Sequence, residues 1–231
     1  MATITIMADA AMDLRLWQLI SPALPVGAYA YSAGLEYAIE AGWVRDEAAL
    51  AEWTAGQIAH GLARLDVAAL GRLYRAWCAD DRDEVARWTT FLLACRETAE
   101  LRAEDRHLGR ALARVLKDLG DPDAGAWDRA GDVTWATMFA LAAARWDISL
   151  ERAAAGYVWA WLENQVAAAV KIVPLGQTAG QRVLLGVSDG IPAAVAEGLA
   201  IEHEDDIGAG APGVAIASSC HETQYSRLFR S

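Results

Sequence analysis

Apolar side chains in this chain recur at the spacing of a helical face, and nowhere do they alternate as a half-buried strand requires. Leu50, Trp53, Ile58, Leu62 and Leu65 fall close to one stripe. Leu101, Leu108, Leu112, Val115 and Leu119 form a second, while Arg102, Arg106, Arg110 and Arg114 line another face of the same segment at i, i+4 spacing. Tyr157, Trp161, Leu162, Val166, Val170 and Val173 pattern a third, long helix, with Ser149 as its candidate N-cap. Alanine, leucine, arginine and glutamate dominate, so helix propensity is high nearly everywhere. The expected fold is all-α, a single-domain array of roughly eight to ten helices joined by short connections. Turn chemistry places those connections at Ser21–Gly27, Gly42, Asp80–Asp83, Gly120–Gly125, Pro174–Gly176, Ser188–Pro192 and Gly208–Gly213. There is no internal repeat.

A chain of 231 residues, 55% of them hydrophobic, can bury one substantial core. The expected organisation is a flexible N-terminus over 1–12, a helical domain over 13–217 and a tail over 218–231. No Lys or Arg occurs between Arg182 and Arg227, and the tail's only large apolar side chains are Tyr225, Leu228 and Phe229. So little apolar area predicts a tail that orders mainly on binding a partner.

The formal net charge of −11 opposes nucleic acid and anionic membranes but permits a basic protein partner. Residues 1–12 lack the basic start and apolar core of a signal peptide, and charge at Arg145 and Lys171 interrupts the most apolar runs. A cytoplasmic location is expected by elimination. Cys78, Cys95 and Cys220 are far apart and odd in number, which points to neither a disulfide framework nor a structural zinc site. There is no phosphate-binding G-x-x-x-x-G-K-[ST] loop, no strand followed by G-x-G-x-x-G, and no G-x-S-x-G elbow around a nucleophile. No catalytic residue and no cofactor of the chain's own is expected.

Five segments carry candidate chemistry. Asp80, Asp81 and Glu84 have a D-D-x-x-E spacing that could hold magnesium and a diphosphate, as in an all-α prenyl-diphosphate enzyme. The same acids suit the N-terminus of the following helix, and no second acidic motif or basic clamp accompanies them. His203 with Glu204, Asp205 and Asp206, and Cys220 with His221 and Glu222, are candidate nickel or zinc contacts, although consecutive residues rarely converge on one ion. Lys171 is one of two lysines beside 18 arginines and sits in an Ala- and Val-rich run. It either pairs or lines a hydrated cavity, or snorkels at a helix end. The segment Leu24 to Ser32 is a rigid break bearing Tyr29 and Tyr31, either a packed turn or a contact surface.

Several of these segments, in collinear order over nearly the whole chain, resemble the UreF family of urease accessory proteins. Ser21 to Gly27, Tyr31-Ser32-x-Gly34-Leu35-Glu36 and Ala41-Gly42-Trp43-Val44 are similar to its amino-terminal signature. Arg96-Glu97-Thr98-x-Glu100-Leu101-Arg102 with Gly109 to Leu112 resembles its central helix, and Trp161 to Gln165 through Lys171-x-x-Pro174-Leu175-Gly176-Gln177 its later helix and turn. Asp205-Asp206-Ile207-Gly208 and His221 to Ser231 resemble its end. Two positions depart from the family pattern: Ala28-Tyr29-Ala30 stands where Gly or Ser, Phe, Ser is commoner, and Cys220 where Arg is expected. The resemblance implies a dimerising scaffold that binds UreD (also called UreH) and the GTPase UreG, delivers nickel to apo-urease and influences the GTPase. It implies roles for Glu36 and Lys171 in a nickel passage or its fidelity. It places the UreD-side contacts at His221, Glu222, Tyr225, Arg227, Phe229 and Arg230.

Overall fold

A computed structural model of the chain describes residues 13–129 and 131–231, so the expectation for 1–12 lies outside the described residues. Those residues contain helices and no strands. A helix over 13–20 (α1) leads through the Ser21–Gly27 turn and a short 3-10 turn, Ala28–Ala30, to α2 (Leu35–Glu40). There follow α3 (Glu47–Gln57), a π-helical segment (Ile58–Val67) and α4 (Ala68–Cys78), which run on without a break. Next come α5 (Arg82–Cys95), α6 (Ala99–Asp118), α7 (Ala124–Asp128) and α8 (Trp135–Arg145). The chain ends with α9 (Leu150–Ile172), α10 (Gln177–Ser188), α11 (Ile191–Ala200), a 3-10 turn (Glu204–Asp206) and α12 (Pro212–His221). The helix number exceeds the expected eight to ten because short helices such as α2 and α7 offer too few turns to show a periodic stripe.

Local chemistry sets the boundaries. Asp46, Asp81, Thr98 and Thr134 cap α3, α5, α6 and α8 by accepting a backbone N–H three residues on. Ser149 occupies the N-cap position of α9 but makes no side-chain capping bond. Pro192 and Pro212 sit in the first turns of α11 and α12, where their missing N–H costs nothing. The core gathers α4, α5, α6, α8, α9, α11 and the π-helical segment around Trp77, Trp88, Leu112, Phe139 and Leu162, all buried.

The π-helical segment is the irregular feature of this core. Its wider turns leave carbonyls that bond outside the helix: the His60 oxygen accepts from Gly210 N–H at 2.8 Å and the Arg64 oxygen from Gly208 N–H at 3.3 Å. Gly198 of α11 lies so close that a Cβ there would stand 2.3 Å from the Ala63 carbonyl oxygen. Gly198→Ala must therefore push two backbones apart, and a loss of about 3 kcal/mol is expected. Thermal melting would show this as a drop of roughly 5–10 °C; an unchanged midpoint would refute the close packing.

No single helix among the described residues is long and apolar enough to cross a membrane. Among the described residues only α10 and α11 together reach that composition, across a 42° bend.

Candidate functional site

An ion network lies under the junction of α5 and α6. Asp66, near the end of the π-helical segment, faces Arg96, whose Nη2 donates to Asp66 Oδ1 at 2.5 Å. Arg96 Nε donates to Asp105 Oδ2 at 2.8 Å, and the Trp135 backbone N–H holds the other Asp105 oxygen at 2.7 Å. The Tyr157 hydroxyl donates to Asp66 Oδ1 at 3.0 Å. Burial alone would favour a neutral guanidine, yet Asp66 and Asp105 hold Arg96 charged with its pKa well above the usual value. Burial, then the Asp66 charge, pushes the Tyr157 phenol well up.

The network forms one wall of a cavity of about 140 Å³. A second, largely apolar cavity of about 440 Å³ lies between α1, α6, α9 and α10. The two share Glu104, Leu108, Trp135, Tyr157 and Trp161 as lining, so those residues form a septum between adjoining spaces. On its other side the smaller cavity shares Gln57, Ala211 and Val214 with a surface groove that includes Trp43, Trp53 and His60. Gln57 is buried, and its Nε2 has no hydrogen-bond partner among the described residues.

Glu104 is the ionisable member of the septum. It keeps some accessible surface because it lines both cavities, but burial pushes its carboxyl up to about 7, against a hydroxyl bond from Ser231 at 2.6 Å that favours ionisation. A carboxyl raised in the folded state contributes its stability most fully below the unfolded value near 4.5 and loses it as pH rises through about 7. Glu104→Gln keeps an acceptor for Ser231 and removes this loss. Denaturant unfolding should find the variant level with the parent near pH 4 and more stable by on the order of 1–3 kcal/mol near pH 8. A gain that does not change with pH would show that Glu104 does not carry a buried charge.

The tail docks through polar bonds. Glu36, on α2, accepts the backbone N–H of Leu228 at 2.6 Å and of Phe229 at 2.9 Å. The His221 ring is fully enclosed, with Nε2 at 3.2 Å from Glu36 and Nδ1 at 2.7 Å from Glu100. Arg227 completes the cluster by pairing with Glu100 at 2.8 Å. Further along, Ser32 N–H donates to the Ser231 carbonyl and Arg230 N–H to the Ala30 carbonyl.

Known proteins match this chain along most of its length. The UreF family model matches residues 44–188. The urease accessory protein UreF of Alkalilimnicola ehrlichii is 60% identical over 217 residues, covering 94% of this chain and 95% of its own. The proteins of the same name from Hahella chejuensis and Teredinibacter turnerae are 49% and 50% identical, again over 94% of this chain and at least 97% of theirs. The chain belongs to the UreF family. These relatives are named as accessory proteins rather than as enzymes.

Within this UreF-family chain the residues singled out in the sequence fall into three settings. Glu36, His221 and Phe229 are internal and hold the tail; Glu222 accepts the Ala99 N–H at the start of α6. Tyr225, Leu228 and Arg230 are exposed along the tail. Lys171 is exposed at the end of α9 and lines the larger cavity, with its ammonium 5.5 Å from the Phe229 ring and 5.9 Å from the Tyr29 ring. It thus combines a position in the cavity lining with one in the last turn of α9.

Cys220 stands beside Tyr37, whose phenol it raises, and His203 is exposed ahead of the 3-10 turn. Among the described residues no three His, Cys, Asp or Glu side chains are arranged to hold a metal ion. Asp80, Asp81 and Glu84 do not converge. Asp80 pairs with Arg82, Asp81 caps α5, and Glu84 is held by Arg87 and the Trp88 indole, so the diphosphate alternative is not favoured.

The network of Asp66, Arg96 and Asp105 and the septum residue Glu104 were missed in the sequence. A signal was present for Asp66, an acid inside the Leu62–Val67 run, as Lys171 is a base inside its own. Arg96 stood in the sequence only as part of a family-like motif and Asp105 gave no signal, because their meeting depends on how α5 turns into α6.

Proposed function

We propose that this chain is a urease accessory scaffold without catalysis of its own, acting in an assembly with UreD and UreG that passes nickel to apo-urease. In this reading nickel is cargo, and the chain works in the cytoplasm as a homodimer. The adjoining cavities carry the reading. A route bounded by Gln57 at one end and Lys171 at the other, with Glu104 midway, offers a divalent cation oxygen ligands without a site that would trap it. UreF-family membership supplies the urease connection. Glu36 supports the same reading by fixing the tail that carries Tyr225, Leu228 and Arg230, exposed side chains suited to anchoring UreD. UreG supplies the GTP hydrolysis, and contact with this chain modulates it.

The test is complementation of a strain lacking its own UreF with Ala160→Trp, which fills the larger cavity from α9. Urease should be produced with little nickel while UreD and UreG still co-purify with the variant. Full nickel occupancy with the cavity filled would remove the passage. Failure of the parent chain to bind UreD or UreG would remove the scaffold reading as well.

A further inference from the structure

The arginine row of α6 takes no part in the tail cluster or the cavities. Arg106, Arg110 and Arg114 line a surface groove of about 800 Å³ whose opposite wall is the Pro25–Gly27 turn and Tyr29. We propose that this groove docks an acidic segment of a partner protein.

In a chain of net charge −11, this face is locally basic and incompletely neutralised. Arg106 pairs with the exposed Asp132 at 2.9 Å. Arg114 stands 3.5 Å from Asp128, which also serves Lys117 at 3.3 Å, so two cations share one carboxylate. Among the described residues, Arg110 reaches only the Gly131 carbonyl, at 3.5 Å. Arg230 is brought to the same face by its backbone bond to Ala30 at 2.9 Å, and has no carboxylate at ion-pair distance among the described residues. His107, in the groove wall against Tyr31, reports the crowding: partial burial and then Arg230, Arg110 and Arg114 lower its pKa. Like charges held this close repel, and an incoming carboxylate relieves that repulsion.

The groove's composition selects among anions. Its lining includes Val26, Ala103 and Ala111, and Tyr29 is 71% exposed, so a good occupant brings apolar side chains as well as charge. A nucleic-acid backbone offers only phosphates, and a handful of phosphate contacts set against an acidic molecule gives weak binding at physiological salt. An acidic protein segment supplies both. Arg230 stands outside the lining, and as a tail residue it adds its charge to this face only while the tail is docked.

The probe is a short synthetic peptide of repeated Glu-Glu-Leu, titrated into the full chain, with a Gln-Gln-Leu peptide as control. The acidic peptide should bind and raise the His107 imidazole titration seen by NMR. Its affinity should fall on the order of tenfold between about 50 and 200 mM salt. The exposed double reversal Arg110→Glu/Arg114→Glu should weaken binding on the order of tenfold or more with an unchanged melting curve, and Arg230→Glu, outside any helix, should do so less strongly. The proposal is overturned by equal binding of the control, by full binding to both reversal variants, or by binding that leaves the His107 resonances unmoved. Tighter binding of a single-stranded oligonucleotide or a phosphatidylserine vesicle than of the peptide also overturns it. None of these results bears on whether nickel crosses the cavities.

Discussion

Arg96→Ala is expected to cost about 3–5 kcal/mol, enough to leave a domain of ordinary stability close to unfolding. The reason lies in what remains. Asp66 and Asp105 are each less than a tenth exposed, and Arg96 is the cation between them, bonding to Asp66 through both terminal nitrogens and to Asp105 through Nε. Deleting it leaves two buried carboxylates facing a void, with the Tyr157 hydroxyl and the Trp135 N–H as their remaining donors. The cost therefore comes from stranding charge, since a buried ion pair contributes little against an apolar equivalent. The triple variant Asp66→Asn/Arg96→Met/Asp105→Asn should recover much of the lost stability. Urea unfolding measures both variants. A loss for Arg96→Ala below about 1 kcal/mol would mean that water reaches the network freely.

Glu36→Ala should release the tail. One carboxylate accepts from two backbone N–H groups and faces the His221 ring, all in surroundings where water is scarce. Leaving a buried donor unsatisfied costs about 1–3 kcal/mol, but the segment over 222–231 can escape much of that by detaching. The expected outcome is a global loss of about 2 kcal/mol together with fast amide exchange at Leu228 and Phe229. Hydrogen exchange resolves the two effects. Continued protection of those two amides in the variant would show that Phe229 packing, rather than Glu36, secures the segment. Glu36→Gln keeps a carbonyl acceptor and should loosen the tail less.

The tail shows how far apolar counting reaches. With Tyr225, Leu228 and Phe229 as its only large apolar groups, it looked too poor to hold itself down, and apolar contact indeed contributes mainly through Phe229. The bonds from Glu36, Glu100 and Ser32 come from residues far away in sequence, and hydropathy carries no trace of them. Likewise the stripe from Leu50 to Leu65 was legible as a helical face, but its passage into a π-helix at Ile58 was not. That widening depends on Gly208 and Gly210 meeting freed carbonyls and on the close approach of Gly198. The acids at Asp81 to Glu84 were legible as a helix start, because capping is a local event within one turn.

Short-range physics accounts for what the sequence alone determined: helical class from apolar spacing, the start of α5 from its leading acids, breaks from Gly and Pro, and family from a collinear set of motifs. These depend on residues within a few positions of one another, or on plain order along the chain. Tertiary structure decided the rest. It joined Asp66, Arg96 and Asp105 from three elements, placed Glu104 between two cavities, and brought Arg230 beside an arginine row more than a hundred residues upstream. Each of these depends on the angle at which one helix crosses another. Side chains across the whole contact set that angle, and no single stretch of sequence contains it.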